Sequence, residues 1–150
     1  MRLNHLKSVL SIIFFSIVIV SANKSESSEF KTVHEFLTSG QEIDLFTTAQ
    51  VTNRCSGLFG AVARFLPSGG EKDKTVLLSG KFLELSFEVL TKNRMNAAEQ
   101  IGENMLGDIK YYTGVYENEM TQHQRNTGSI LSQVIERELF WCKEAANKFF

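Results

Sequence analysis

The chain has 150 residues, 16 basic and 17 acidic, a formal net charge of −1, one proline and two cysteines. That length suits one domain with a real hydrophobic core. The near-neutral balance, with charges scattered along the chain, argues against nucleic acid, which demands a basic face.

The first 22 residues read as a secretory signal peptide. Arg2 and Lys7 give a positive start, and no acidic residue precedes Glu26. An apolar run from Val9 to Val20 follows, interrupted by Ser11 and Ser16, and Val20-Ser21-Ala22 offers the small residues that a signal peptidase reads. The run falls short of the ~20 apolar residues of a spanning helix, so the expectation is export through the Sec route without stable membrane insertion. No cysteine follows the run to carry a lipid. Cleavage after Ala22 would leave 150 − 22 = 128 residues and, with two basic residues removed, a charge of 14 − 17 = −3.

Both cysteines lie in this mature part. Two cysteines in an exported chain allow one internal pairing, and an oxidising compartment favours it. A Cys55–Cys142 disulfide is therefore expected, against free thiols, an intermolecular bridge or metal ligation.

Residues 23–38 read as a polar leader followed by a short helical turn near Thr32 to Thr38, and residues 39–150 as a helical bundle. Ser39 and Glu42 have the spacing of a capping box. Leu45, Ala49, Thr52, Cys55, Phe59, Val62 and Leu66 then recur at helical steps until Pro67-Ser68-Gly69-Gly70. Ser68 and Glu71 repeat the capping spacing, opening a second helix to about Lys92. Its two stripes, Val76-Gly80-Leu83-Phe87-Leu90 and Leu78-Phe82-Leu85-Val89, predict burial on more than one side.

A third helix spans about Asn96 to Arg125, with Ala98, Ile101, Met105, Ile109, Tyr112, Tyr116 and Met120 in register. No glycine or proline separates it from the second. A continuous helix of more than fifty residues would reach ~75–80 Å, so a break near Thr91 to Asn96 is expected, with Asn96 and Glu99 at capping spacing. Asn126-Thr127-Gly128 closes the third helix. A fourth, about Ser129 to Phe149, lines its inner face with Leu131, Val134, Ile135, Glu138, Cys142, Ala145 and Phe149; Glu136 and Glu138 also suit its N-terminal half by the helix dipole. Short connections imply antiparallel neighbours. The predicted fold is all-α: an up-down-up-down bundle of about four helices, in which Cys55 and Cys142 can meet at mid-height.

Chemistry is sparse. A di-iron bundle needs paired Glu-x-x-His motifs, whereas Glu119 and His123 are four apart and alone. Covalent haem needs Cys-x-x-Cys-His, and a serine hydrolase elbow needs Gly-x-Ser-x-Gly; neither occurs. Glu99 and Glu103, one turn apart, read as solvated glutamates rather than a catalytic pair. Neither a metal nor an organic cofactor is expected. With His34 and His123 alone in the mature chain, a histidine-driven pH switch is not expected either.

Gly107 and Gly114 are more suggestive. They lie seven residues apart within the third helix, where each glycine costs ~1 kcal/mol against alanine. Around them stand Lys110, Tyr111, Tyr112 and Tyr116, a composition common at contact surfaces. These four are the candidate partner-contact residues; the competing reading is tight packing with partly buried aromatics. Gly57 and Gly60, beside Cys55, raise the same choice. The expected function is that of a non-enzymatic binding protein of the bacterial envelope, periplasmic or secreted: an adaptor, an inhibitor or a chaperone-like component. Its partner would be another envelope or extracellular protein. The alternatives are an enzyme with a dispersed carboxylate and histidine site, and an envelope structural subunit or membrane-tethered domain.

Overall fold

In a computed structural model, residues 33–38, 44–92 and 94–150 are described. Every regular element among them is helical: α1 (Val33–Thr38), α2 (Leu45–Phe65), α3 (Gly70–Thr91), a 3-10 turn (Met95–Ala97), α4 (Ala98–Thr127) and α5 (Gln133–Phe149). The expected signal peptide, the leader and the Ser39–Glu42 capping pair lie outside the described residues. None of the described helices is long and apolar enough to cross a membrane.

Helix α2 starts from Asp44, whose extended backbone and side chain form its N-cap. The carboxylate accepts the Thr47 N–H at 2.6 Å, satisfying one of the free donors of the first turn. That bond holds the Asp44 carboxyl below its ordinary pKa.

Once begun, α2 is the core of the protein. Every side chain from Val51 to Phe59 is buried, because α3 and α4 pack along α2, and α5 and α1 also touch it. Periodicity predicted one buried stripe here and reserved two-sided burial for the second helix. The structure reverses the two. In α3, Phe82, Ser86 and Thr91 are buried, while Val76 and Leu77 face solvent. The reason is chemical: the remaining sides of α2 carry Asn53, Arg54, Ser56 and Gly57, which read as a wet face but find partners on neighbouring helices.

Two seams fix these neighbours. Ser56 Oγ donates to the Ser79 carbonyl at 3.0 Å and Ser79 Oγ to the Ser56 carbonyl at 2.8 Å, so each hydroxyl bonds the other helix's backbone. One helical turn away Ser86 Oγ donates to Asn53 Oδ1. On the other seam, α4 comes so close that a Cβ on Gly57 would lie 2.8 Å from Tyr112 Cβ and 3.0 Å from the Thr113 nitrogen. Gly57 therefore sets the spacing of α2 and α4. Gly60 does not, since its nearest neighbour would be Ser79 Oγ at 3.5 Å. Gly57→Ala is expected to cost ~1–3 kcal/mol by overpacking against backbone. Gly60→Ala is expected to be neutral or to gain some of the ~1 kcal/mol that glycine costs a helix. Urea unfolding of the two variants side by side measures the contrast.

The break between α3 and α4 falls where expected. The chain leaves α3 at Thr91, turns through the 3-10 segment and re-enters helix at Ala98. No side chain caps α4: Ala97 holds the N-cap position, and the Asn96–Glu99 spacing is unused. At α3 the cap is Gly69 rather than Ser68, with no side-chain bond. Gly128, at φ 80°, closes α4 with its N–H on the Gln124 carbonyl, a left-handed position that glycine fills without strain. Ser132 caps α5 by accepting the Ile135 N–H at 3.3 Å. Cys55 and Cys142 form a disulfide with their Cα atoms 5.4 Å apart.

Candidate functional site

The strongest polar constellation among the described residues is sealed in the core, beside the disulfide. Arg54 precedes Cys55 on α2, and Glu138 lies one turn before Cys142 on α5. Arg54 Nη2 stands 3.4 Å from Glu138 Oε2, with the two residues 1% and 0% exposed. Tyr116 of α4, 1% exposed, donates its hydroxyl to the same carboxylate oxygen at 2.7 Å. The Val33 N–H of α1 donates to Glu138 Oε1 at 3.2 Å. The Arg54 guanidinium also lies over the Tyr112 ring, 5.1 Å from its centroid, a cation–π contact.

One carboxylate thus joins α1, α2, α4 and α5. Burial is the largest cause pushing the Tyr116 hydroxyl pKa above its ordinary value; nearby Arg54 opposes the shift and Glu138 adds to it. Tyr112 is raised more mildly, again chiefly by burial. Because the folded chain holds these protons more tightly than the unfolded chain, their contribution is complete below the ordinary tyrosine value of about 10 and declines as pH rises above it. Alkaline unfolding is therefore expected to begin near that pH, and Tyr116→Phe should flatten the slope of stability against pH there. With Arg54, Tyr116 and Glu138 almost fully buried, the Glu138 carboxylate acts as a structural clasp between four helices.

Neither Arg54 nor Glu138 was expected in this role. The expected Cys55–Cys142 bond places Arg54, which adjoins Cys55, and Glu138, one turn before Cys142, at one level with opposite charges, but the pattern of apolar residues left Arg54 outside the buried face.

The four candidate contact residues divide. Tyr116 is buried in the clasp, and Tyr112 is half-buried against Arg54. Lys110 and Tyr111 face outwards, with Tyr111 57% exposed. Together with Gly107, Gly114, Val115 and Asn118 they line an open hollow of about 600 Å3. Nothing lies within 4 Å of a Cβ built on Gly107 or Gly114; these glycines leave a hollow and admit no neighbouring helix. The Tyr112 ring meets Tyr111 edge-on, with centroids 5.4 Å apart, and steadies it from behind.

The remaining candidates are dispersed. Glu99 and Glu103 are exposed, and Glu119 and His123 are half-buried. His34 packs against Trp141 at 4.7 Å between ring centroids. Met105 and Met120 are buried. No group of three or more metal-ligating side chains gathers among the described residues. Phe150 packs edge-on against Phe82 at 5.2 Å. No family model, curated protein or solved structure matches the chain.

Proposed function

We propose that the protein is an exported, disulfide-closed helical binding protein that engages another envelope or extracellular protein through the outer face of α4. We read its helices as an up-down-up-down bundle behind a cleaved signal peptide, and its place as the periplasm or the extracellular space. The Cys55–Cys142 bond supports an oxidising destination. The observation that carries the binding reading is Tyr111, exposed beside Lys110 over the hollow left by Gly107 and Gly114. An exposed tyrosine braced by a second ring presents large contact area at little conformational cost. Lys110 is the one charged side chain among the described residues lining the hollow, which favours a partner with an apolar knob and a carboxylate at its rim.

The test has two parts. Intact mass of protein recovered from an exporting cell should correspond to a chain starting at Asn23; retention of residues 1–22 would refute the export reading. A photo-crosslinking residue at position 111 should join one protein whose identity is then read by mass spectrometry. With that partner purified, Lys110→Ala combined with Tyr111→Ala should weaken binding ~10-fold or more while leaving the urea midpoint unchanged. Unchanged affinity would remove this face from consideration.

A further inference from the structure

A second hollow, of about 300 Å3, lies between α2, α3 and α4, away from the outer face of α4. Phe46 and Gln50 come from α2, Leu90 from α3, and Asp108 and Tyr112 from α4, with Asn53 also lining it. The polar groups are held in one arrangement. Ser86 donates to Asn53 Oδ1, which fixes the flip of the buried amide and turns its NH2 towards Asp108. That NH2 donates to Asp108 Oδ2 at 3.4 Å, leaving Oδ1 as the acceptor for a ligand's N–H.

Asp108 is the one charged side chain among the described residues lining this hollow. The other walls are two aromatic residues, Phe46 and Tyr112, the aliphatic Ala49 and Leu90, and two neutral amides. The Tyr112 ring is already engaged by the Arg54 guanidinium at 5.1 Å, so the cation-favouring pair is the Asp108 carboxylate and the exposed Phe46 ring, which disfavours an anion. The volume is at the lower end of small-molecule sites. We infer that this hollow is a binding site for a small organic ammonium ion, its N–H groups on Asp108 and its apolar body between Phe46, Leu90 and Tyr112.

The experiment titrates the oxidised protein, as purified from the exporting cell, with hexylammonium chloride. Hexan-1-ol and sodium hexanoate are isosteric controls, and the side-chain NH2 signals of Asn53 and Gln50 are followed by NMR. Hexylammonium should shift both signals saturably, with an affinity at least ~10-fold above that of hexanol, and hexanoate should leave them unmoved. Asp108→Asn, at an exposed position, should keep the urea midpoint and lose that ~10-fold preference. Leu90→Trp, which fills the hollow, should abolish the shifts. Equal affinity for hexanol and hexylammonium, undiminished preference in Asp108→Asn, or no saturable shift with hexylammonium would each overturn the assignment. None of these outcomes bears on the α4 face, whose test uses different residues and a protein partner.

Discussion

Replacing Glu138 with glutamine is expected to destabilise the protein by ~3–5 kcal/mol, because it leaves the Arg54 guanidinium in the core without its countercharge. That is comparable with a large share of a typical domain's ~5–15 kcal/mol, so the variant should be partly unfolded at moderate temperature. The Arg54–Glu138 approach of 3.4 Å is loose for an ion pair, whereas the Tyr116 bond to the same oxygen is short at 2.7 Å. Distance alone would rank the tyrosine first. Burial decides otherwise, since an unpaired charge costs more in the core than a lost neutral donor. Tyr116→Phe should therefore cost less, ~1.5–3 kcal/mol. Replacing both charges with apolar residues of similar volume, Arg54→Met with Glu138→Leu, should recover most of the loss of the single variant. The Val33 N–H would still lack its acceptor, so the recovery should be incomplete. Urea unfolding of the four proteins at neutral pH measures the series; a Glu138→Gln variant within ~1 kcal/mol of the parent would show that the carboxylate is not the clasp.

Helix positions were legible because their signals are local. Pro67-Ser68-Gly69-Gly70 ends α2, and Gly128 ends α4 where the sequence placed the stop, in a left-handed conformation. The break before α4 was readable from length alone, since a longer helix would outgrow the domain. The ranking of burial was not legible. A wide apolar arc marks α3, yet Val76 and Leu77 are exposed, while the mixed face of α2 is enclosed. Apolar counting treats Asn53, Arg54 and Ser56 as solvent-facing; each instead meets a partner on a distant helix, namely Ser86, Glu138 and Ser79. Such partners become visible only when the helices are assembled. Part of the candidate contact patch is enclosed for the same reason. Lys110, Tyr111, Tyr112 and Tyr116 are near neighbours in sequence, but positions 112 and 116 are four apart and share a helical face, and that face turns towards Arg54. Tyr111, one residue earlier than Tyr112, turns out to solvent.

Reducing the Cys55–Cys142 bond, or replacing both cysteines with alanine, is expected to lower stability by about 4.5 kcal/mol in the chain-entropy account for a loop of this span, the cysteines being 87 positions apart. A change within ~1 kcal/mol on reduction, read from the urea midpoint, would contradict that account for this chain. The position of the bond suggests a second contribution, made in the folded state. Arg54 adjoins Cys55, and Glu138 is one turn from Cys142, so the disulfide holds α5 at the height where the carboxylate meets the guanidinium, the tyrosine and α1. Freed of the link, α5 can shift and let water reach the ion pair. The two contributions are separable. A purely unfolded-state effect adds independently to the loss from Glu138→Gln. If the disulfide also keeps the clasp closed, removing both should cost less than the sum of the separate losses, by more than the ~0.5 kcal/mol expected of independent sites. Strict additivity in that cycle would leave the disulfide as a constraint on the unfolded chain alone. A deficit would instead make the covalent link and the buried carboxylate parts of one joint, in which the disulfide keeps the only buried ion pair among the described residues dry.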